Sequence, residues 1–285
     1  MSNRGPMGLL LVGVAGAVAA RAALRATRRI APRGALDRTN FRGRTVSLAG
    51  GPALAAGASM AAAVGSGHPA TAAAALVAGA GAGAVGLYDD IVGARPDQRT
   101  VKGFAGHLSA LRDGRVTSGL VKIIGVGAAG VVASTLLSAG RRSAPRHPVA
   151  RGADLLLGAG VIAATANFVN LLDLRPGRAA KAGLIIAGPL LTGPAAGTAA
   201  GTAGAVAGLL HDDLDEHVML GDCGANALGA LLGVALAQRT GPRGRAVALA
   251  VLGALTATSE RVSFTQVIGR TPGLRELDAL GRRVP

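Results

Sequence analysis

Two adjacent carboxylates, Asp89 and Asp90, close an apolar run through Gly86-Leu87-Tyr88. Such a pair repels itself unless a cation or hydrogen-bond donors compensate it. That chemistry suits a magnesium or phosphate site; a solvated helix end is the alternative. A second polar island reads Asn167-Phe168-Val169-Asn170-Leu171-Leu172-Asp173. On a helix, positions 167, 170 and 173 lie three apart and nearly share one face. Two carboxamides and a carboxylate so aligned suit a polar ligand, and hydrogen bonding between helices is the alternative. Arg175, Arg178 and Lys181 follow within one loop and are suited to phosphate oxygens. The third island, Met219-Leu220-Gly221-Asp222-Cys223-Gly224, sets one carboxylate between glycines at the start of an apolar helix. Glycine lets a backbone come close, and a helix N-terminus offers free N–H groups to an anion. A carboxylate there fits a metal bridging a diphosphate. His211, Asp212, Asp213, Asp215, Glu216 and His217 just before it have no distinctive ligand spacing, and they read mainly as a solvated loop.

What must position these islands is a set of apolar runs. Val46 to Leu87 contains no Lys, Arg, Asp or Glu, and its one ionisable residue is His68. It is long enough for two membrane passes at about 20 residues each. Nine spans are predicted, over roughly 5–22, 46–65, 69–88, 117–137, 152–169, 179–195, 197–212, 223–239 and 245–260. Gly188-Pro189 and Gly193-Pro194 interrupt the sixth and seventh. With the N-terminus outside, 22 Lys and Arg face the cytoplasm, and eight face out: Arg4, Arg141, Arg142, Arg146, Arg151, Arg239, Arg243 and Arg245. That asymmetry follows the positive-inside tendency. Fourteen of the fifteen carboxylates fall on the cytoplasmic side or its border, Asp154 being the exception. Carboxylates at a membrane border are costly, so these become functional candidates.

Composition agrees with a membrane protein. Hydrophobic residues make up 50% of the chain, and 45 glycines would weaken helices in water but allow close packing in lipid. The net charge of +15 comes with only 2% aromatics. A nucleic-acid partner is therefore excluded, since stacking aromatics and a soluble basic face are wanting. A single cysteine, Cys223, rules out an intrachain disulfide. Met7 to Ala20 could pass for a signal peptide, but the eight arginines between Arg21 and Arg44 favour a first transmembrane helix. Gly81-Ala82-Gly83-Ala84-Val85-Gly86 fits the dinucleotide pattern in letters only, and small residues at a helix interface explain it better.

In order along the chain, the islands resemble the polyprenyl-phosphate N-acetylhexosamine-1-phosphate transferase superfamily, which includes phospho-N-acetylmuramoyl-pentapeptide transferase. Asn40-Phe41-Arg42-Gly43-Arg44 through Gly50-Gly51 is similar to its first cytoplasmic loop, and Asp89-Asp90 to its aspartate pair. Gly114 to Lys122 is similar to the segment entering its fourth helix. Asn167, Asn170 and Asp173 match its Asn-x-x-Asn-x-x-Asp signature, and Gly221-Asp222-Cys223-Gly224 its Gly-Asp-x-Gly signature. Two departures stand out. Where the family usually continues Asp-Gly-x-Asp-Gly, this chain has Asp173-Leu174-Arg175-Pro176-Gly177-Arg178. Gly269 to Arg275 stands where the family's last loop often carries a histidine pair, and no histidine follows His217.

The resemblance implies one integral membrane domain over 1–285. It would be an all-α polytopic helix bundle of about nine spans, with an active-site cleft on the cytoplasmic face of the inner (plasma) membrane. The implied reaction transfers a sugar-1-phosphate from a UDP-sugar to polyprenyl phosphate, releasing UMP, in cell-envelope glycopolymer synthesis. Catalysis would fall to Asp89, Asp90 and Asp222. Asp222, with Asp90, would hold Mg2+, and Asp89 is preferred if a base is used. Asn167, Asn170, Asp173, Lys122, Arg175, Gly224 and Arg270 would bind substrate. A non-catalytic relative that binds lipid phosphate or partners in envelope assembly is the alternative. The sugar, the lipid length and the oligomeric state stay open, a homodimer included.

Overall fold

Four of the long helices begin on proline: Pro6, Pro69, Pro148 and Pro242 each stand in a first turn, where the missing N–H has no helical partner to lose. The computed structural model describes residues 5–95, 103–140 and 147–283. Arg4, Arg141, Arg142 and Arg146, which entered the charge count, lie outside them. The elements are α1 (Pro6–Ile30), β1 (Asp37–Thr39), β2 (Thr45–Ser47), α2 (Gly50–Gly65), α3 (Pro69–Val92), α4 (Gly103–Arg112) and α5 (Ser118–Ala139). There follow α6 (Pro148–Leu172), α7 (Arg178–Ala187), α8 (Ala196–Leu214), α9 (Gly221–Arg239), α10 (Pro242–Ser259), α11 (Phe264–Arg270) and α12 (Leu274–Ala279). Of the described residues, 78% are helical. The small antiparallel hairpin β1–β2 departs from an all-α expectation.

Among the described residues, four helices, α1, α3, α5 and α6, are long and apolar enough to cross a membrane. A fifth counts if α10 and α11, bent by 93° at a short break, form one span. This is consistent with a membrane protein. The remaining apolar runs hold shorter or more polar helices. The 16 residues of α2 reach about 24 Å at 1.5 Å each. α7 stops at Gly188-Pro189, and two short 3-10 turns carry the chain through Gly193-Pro194 into α8. Proline cannot donate to the helix ladder, which is why the run breaks there.

The core is built around α9, buried along nearly its whole length. Leu228, Leu231, Leu232 and Val234 are fully buried, with α2, α3 and α6 packed around them. α1 lies on α8 and α2. A Cβ on Gly204 would stand 1.9 Å from the carbonyl oxygen of Gly13, so those two helices touch backbone to backbone. Met7, Leu10, Leu11, Val14 and Val18 on α1 remain exposed. A surface this apolar suits lipid better than water. The glycine run 81–86 lies inside α3, where Gly83 and Gly86 are buried against α2 and α9.

Candidate functional site

The last turn of α3, the second turn of α5, the end of α6 and the start of α9 meet at one end of the bundle. Glycine makes the approach feasible. A Cβ on Gly86 would lie 2.3 Å from the carbonyl oxygen of Asp222, so no larger residue lets α3 pass this close to α9. Gly221 adopts φ 58°, and a Cβ there would also meet both carboxylate oxygens of Asp90 at 3.0 Å.

One carboxylate satisfies two of the N–H groups that open α9, and a second stands near a third. Asp90 Oδ1 accepts from the Asp222 N–H at 3.0 Å, and Oδ2 from the Cys223 N–H at 2.9 Å. Asp173, at the C-cap of α6, stands near the Gly221 N–H, which favours its charged form. Acidic caps at a helix N-terminus are favourable because the free N–H groups carry the positive end of the dipole. Burial, and then the neighbouring Asp213, push the Asp173 carboxyl well above the ordinary carboxylate range. The remaining two carboxylates share a cation. Lys122 Nζ stands 2.6 Å from Asp89 Oδ2 and 2.6 Å from Asp222 Oδ2. Thr117 caps α5 by accepting from the Leu120 N–H at 3.2 Å, which fixes the helix that carries Lys122.

The hairpin closes one side. Arg38 Nη2 donates to the Asp90 carbonyl at 3.0 Å. Asn40 Oδ1 accepts from the N–H groups of Arg42 and Arg44, shaping the turn, while its Nδ2 donates to Glu216 Oε2 at 2.6 Å. Arg42 Nη1 lies 3.1 Å from Glu216 Oε1, and the Ser47 carbonyl accepts from the Met219 N–H at 2.9 Å. A cavity of about 200 Å³ lies between hairpin and helices, lined by Phe41, Asp173, Arg175, Asp213, Glu216 and Met219 among others. The Arg175 guanidinium stacks 4.2 Å from the Phe41 ring centroid.

Of the residues singled out from sequence, Asp89, Asp90, Lys122, Asp173 and Asp222 therefore come together, with Arg175 on the adjoining cavity. Asn167 does not join them through its amide donor, which bonds Thr256 Oγ1 on α10 at 3.1 Å. Asn170 is half-buried on the last turn of α6, where its carbonyl accepts from the Asp173 N–H. Gly224 packs against Gly51 of α2 and serves that contact. Arg270 ends α11 and is exposed.

The acidic run before Asp222 corrects an expectation. His211 is open to solvent, but Asp213 and Glu216 are buried. Asp213 Oδ2 accepts from the Gly177 N–H at 3.0 Å, and Glu216, at φ 57°, pins the hairpin. The ligands of both lie far away in sequence, so spacing within the run carried no signal.

Among the described residues, no three His, Cys, Asp or Glu side chains stand grouped as metal ligands. The donor set is nevertheless that of a hard cation, oxygen only. The ammonium between Asp89 and Asp222 marks where positive charge is held. No family model and no curated protein sequence matches the chain.

Proposed function

We propose that this is a membrane transferase of about nine spans whose carboxylate cluster opens on a cytoplasmic-face cleft of the plasma membrane. It moves a sugar-1-phosphate from a UDP-sugar to polyprenyl phosphate for an envelope glycopolymer. The observation that carries the reading is the meeting of Asp89, Asp90, Lys122, Asp173 and Asp222 from four separate helix ends. The order of the sequence islands is what gives that cluster a reaction.

A phosphate monoester has its second pKa near 6, so the acceptor is largely ionised at neutral pH. An oxygen of the lipid phosphate attacks the β-phosphorus of the UDP-sugar. The bond from that phosphorus to the bridging oxygen breaks, and UMP leaves with the oxygen and its electron pair. What the protein must supply is positioning and neutralisation of charge. In place of the Asp222–Asp90 pair expected from sequence, Asp89 and Asp222 are the residues that would hold Mg2+, because both Asp90 oxygens accept N–H groups of α9; the ion would supply electrophilic neutralisation of phosphoryl oxygens. Asp90 and Asp173 fix the start of α9 and so hold Asp222 in place. Arg175 offers guanidinium donors to a phosphate or diphosphate. The test is magnesium-dependent UMP release by purified full-length protein with polyprenyl phosphate and a panel of UDP-sugars; silence across the panel removes the reading.

A second reading, a non-catalytic relative that binds lipid phosphate, draws on the engagement of Asn167 with Thr256. It expects saturable polyprenyl-phosphate binding with no turnover of any UDP-sugar.

A further inference from the structure

We propose that Lys122 is an exchangeable counter-ion. It neutralises Asp89 and Asp222 while the site is unloaded, and divalent-cation binding releases it to hold phosphate oxygens of the substrate. This rests on the magnesium-dependent transfer reading above and adds a role for one side chain.

The geometry of the ammonium is the starting point. It sits 2.6 Å from one oxygen of Asp89 and 2.6 Å from one oxygen of Asp222, so it bridges the two carboxylates evenly. Asp90 is engaged otherwise, each oxygen accepting a backbone N–H of α9. The pair left for any cation is thus the pair Lys122 already occupies. Two cations cannot share those oxygens without strong mutual repulsion at contact distance. A divalent ion carries twice the charge and can displace the ammonium.

The side chain is also built to leave. Its side chain is 21% exposed, in contrast to the sealed Arg245 at 3%. It has a flexible four-carbon stem ending in three rotatable donors, and an ammonium is a good point-charge ligand for phosphate. Its backbone stays put, because Thr117 caps the helix below it. Exchange therefore needs rotation of one side chain and no helix movement.

The experiment measures Mn2+ binding to purified full-length protein by electron paramagnetic resonance, for wild type and for Lys122→Met. If the ammonium occupies the site more than about 90% of the time, removing it tightens Mn2+ binding by about tenfold or more. The same variant should raise the KM for UDP-sugar, because the phosphate ligand is lost. Equal or weaker Mn2+ binding in Lys122→Met overturns the exchange. Lys122→Gln repeats the measurement should the methionine variant fold poorly. A second check keeps the lysine: with Lys102 and Lys181 replaced by arginine, reductive 13C-methylation labels Lys122 and the N-terminal amine, whose resonances differ in shift. The Lys122 resonance should move on adding Mg2+; an unmoved resonance also overturns the exchange. Wild type that releases UMP with Mg2+ while Lys122→Met gains no affinity sinks this proposal and leaves the transferase reading standing. Absence of both Mn2+ binding and UMP release sinks the two together.

Discussion

Charged groups are drawn out of water at several places among the described residues, and two of these places are built on opposite plans. Where α6, α9 and α10 pack together, Arg245 Nη1 meets Asp154 Oδ1 at 2.7 Å, and its Nη2 donates to the Ala237 carbonyl at 2.7 Å. Both side chains are almost completely buried, at 3% and 4% exposure. One cation faces one anion there, and the spare donors find backbone oxygens. The cluster around α9's N-terminus instead gathers Asp89, Asp90, Asp173 and Asp222 about a single ammonium. Burying charge is tolerable when it is paired and bonded. The balanced pair is thus a pin that holds three helices. The unbalanced cluster gains from any added cation, which makes it the candidate functional site.

Breaking the acidic cluster should cost chemistry. Asp222→Asn keeps size and an oxygen but loses the charge that opposes a cation. UMP release should fall on the order of 10³–10⁴-fold, equivalent to roughly 4–5.5 kcal/mol of barrier. Insertion and thermal stability should hold, because Asn keeps its place at the start of α9. If the variant retains most of its magnesium-dependent activity, Asp222 is not the metal ligand. Breaking the pin should do the reverse. Arg245→Met leaves Asp154 buried without its guanidinium, which costs roughly 3–5 kcal/mol of stability, while turnover per folded molecule stays near wild type. Combining it with Asp154→Leu should recover most of that loss in a thermal melt. A loss of turnover with normal melting would erase the distinction between the two places.

The approach of α3 to α9 sharpens the comparison at a smaller scale. Gly86→Ala puts a methyl group where the Asp222 carbonyl stands, 2.3 Å away. The helices must part, at about 1–3 kcal/mol of overpacking strain. Activity should drop more than stability, since Asp222 moves relative to Asp89. A Gly83→Ala control meets α2 instead, its nearest atom being Ala55 Cβ at 2.7 Å. It should lose similar stability and less activity. Equal activity losses in the two variants would mean that the Asp222 position tolerates displacement.

These contrasts explain what could be read from the sequence. Asp89, Asp90, Asp173 and Asp222 were legible because each stands at the edge of an apolar run, where a carboxylate has no cheap structural excuse. Lys122 was legible as a cation near that edge, though its partners were not, since Asp222 lies 100 positions away. The hairpin was not legible at all. Its strands are three residues each, too short for an alternating pattern. What stabilises it is Glu216, 176 positions from Asn40. Partners 176 positions from Glu216 and 36 positions from Asp213 hid the burial of both behind what looks like a polar loop. For Asn167, the letters allowed either a ligand or a helix partner, and only the position of Thr256 distinguishes them. Span lengths blurred for a related reason. The apolar run expected as a span over 46–65 opens in β2, so α2 starts only at Gly50 and ends where expected, at Gly65.

A third charged cluster inverts the sign of the first and should give the smallest effect. Near the C-terminus, Asp278 stands between Arg178, bonded at 2.7 and 2.9 Å, and Arg282, with buried Asp213 nearby. Lys181 Nζ donates to the carbonyls of Leu277, Asp278 and Leu280. No residue of α12 is buried, and Leu274, Leu277 and Leu280 are exposed, so polar contacts alone hold this segment. Desolvation pushes the Asp278 carboxyl up, but the bonds and charges of Arg178 and Arg282 outweigh it and hold it below the ordinary carboxylate value. A carboxylate with a depressed folded-state pKa stabilises the fold above its unfolded pKa, about 3.9 for Asp. That contribution is lost as pH falls through the lower folded value. Hydrogen-exchange protection of residues 274–283 should therefore persist at pH 7 and weaken below about pH 4. Asp278→Asn should bring the weakened state to pH 7, with a loss below about 1 kcal/mol because solvent and salt screen the cluster. Raising the salt should weaken protection in wild type and have little further effect in Asp278→Asn. UMP release should change by less than about twofold, since no contact of Asp278 reaches the carboxylates around Lys122. Unchanged protection in the variant would assign the hold on this segment to Lys181 and its three carbonyls.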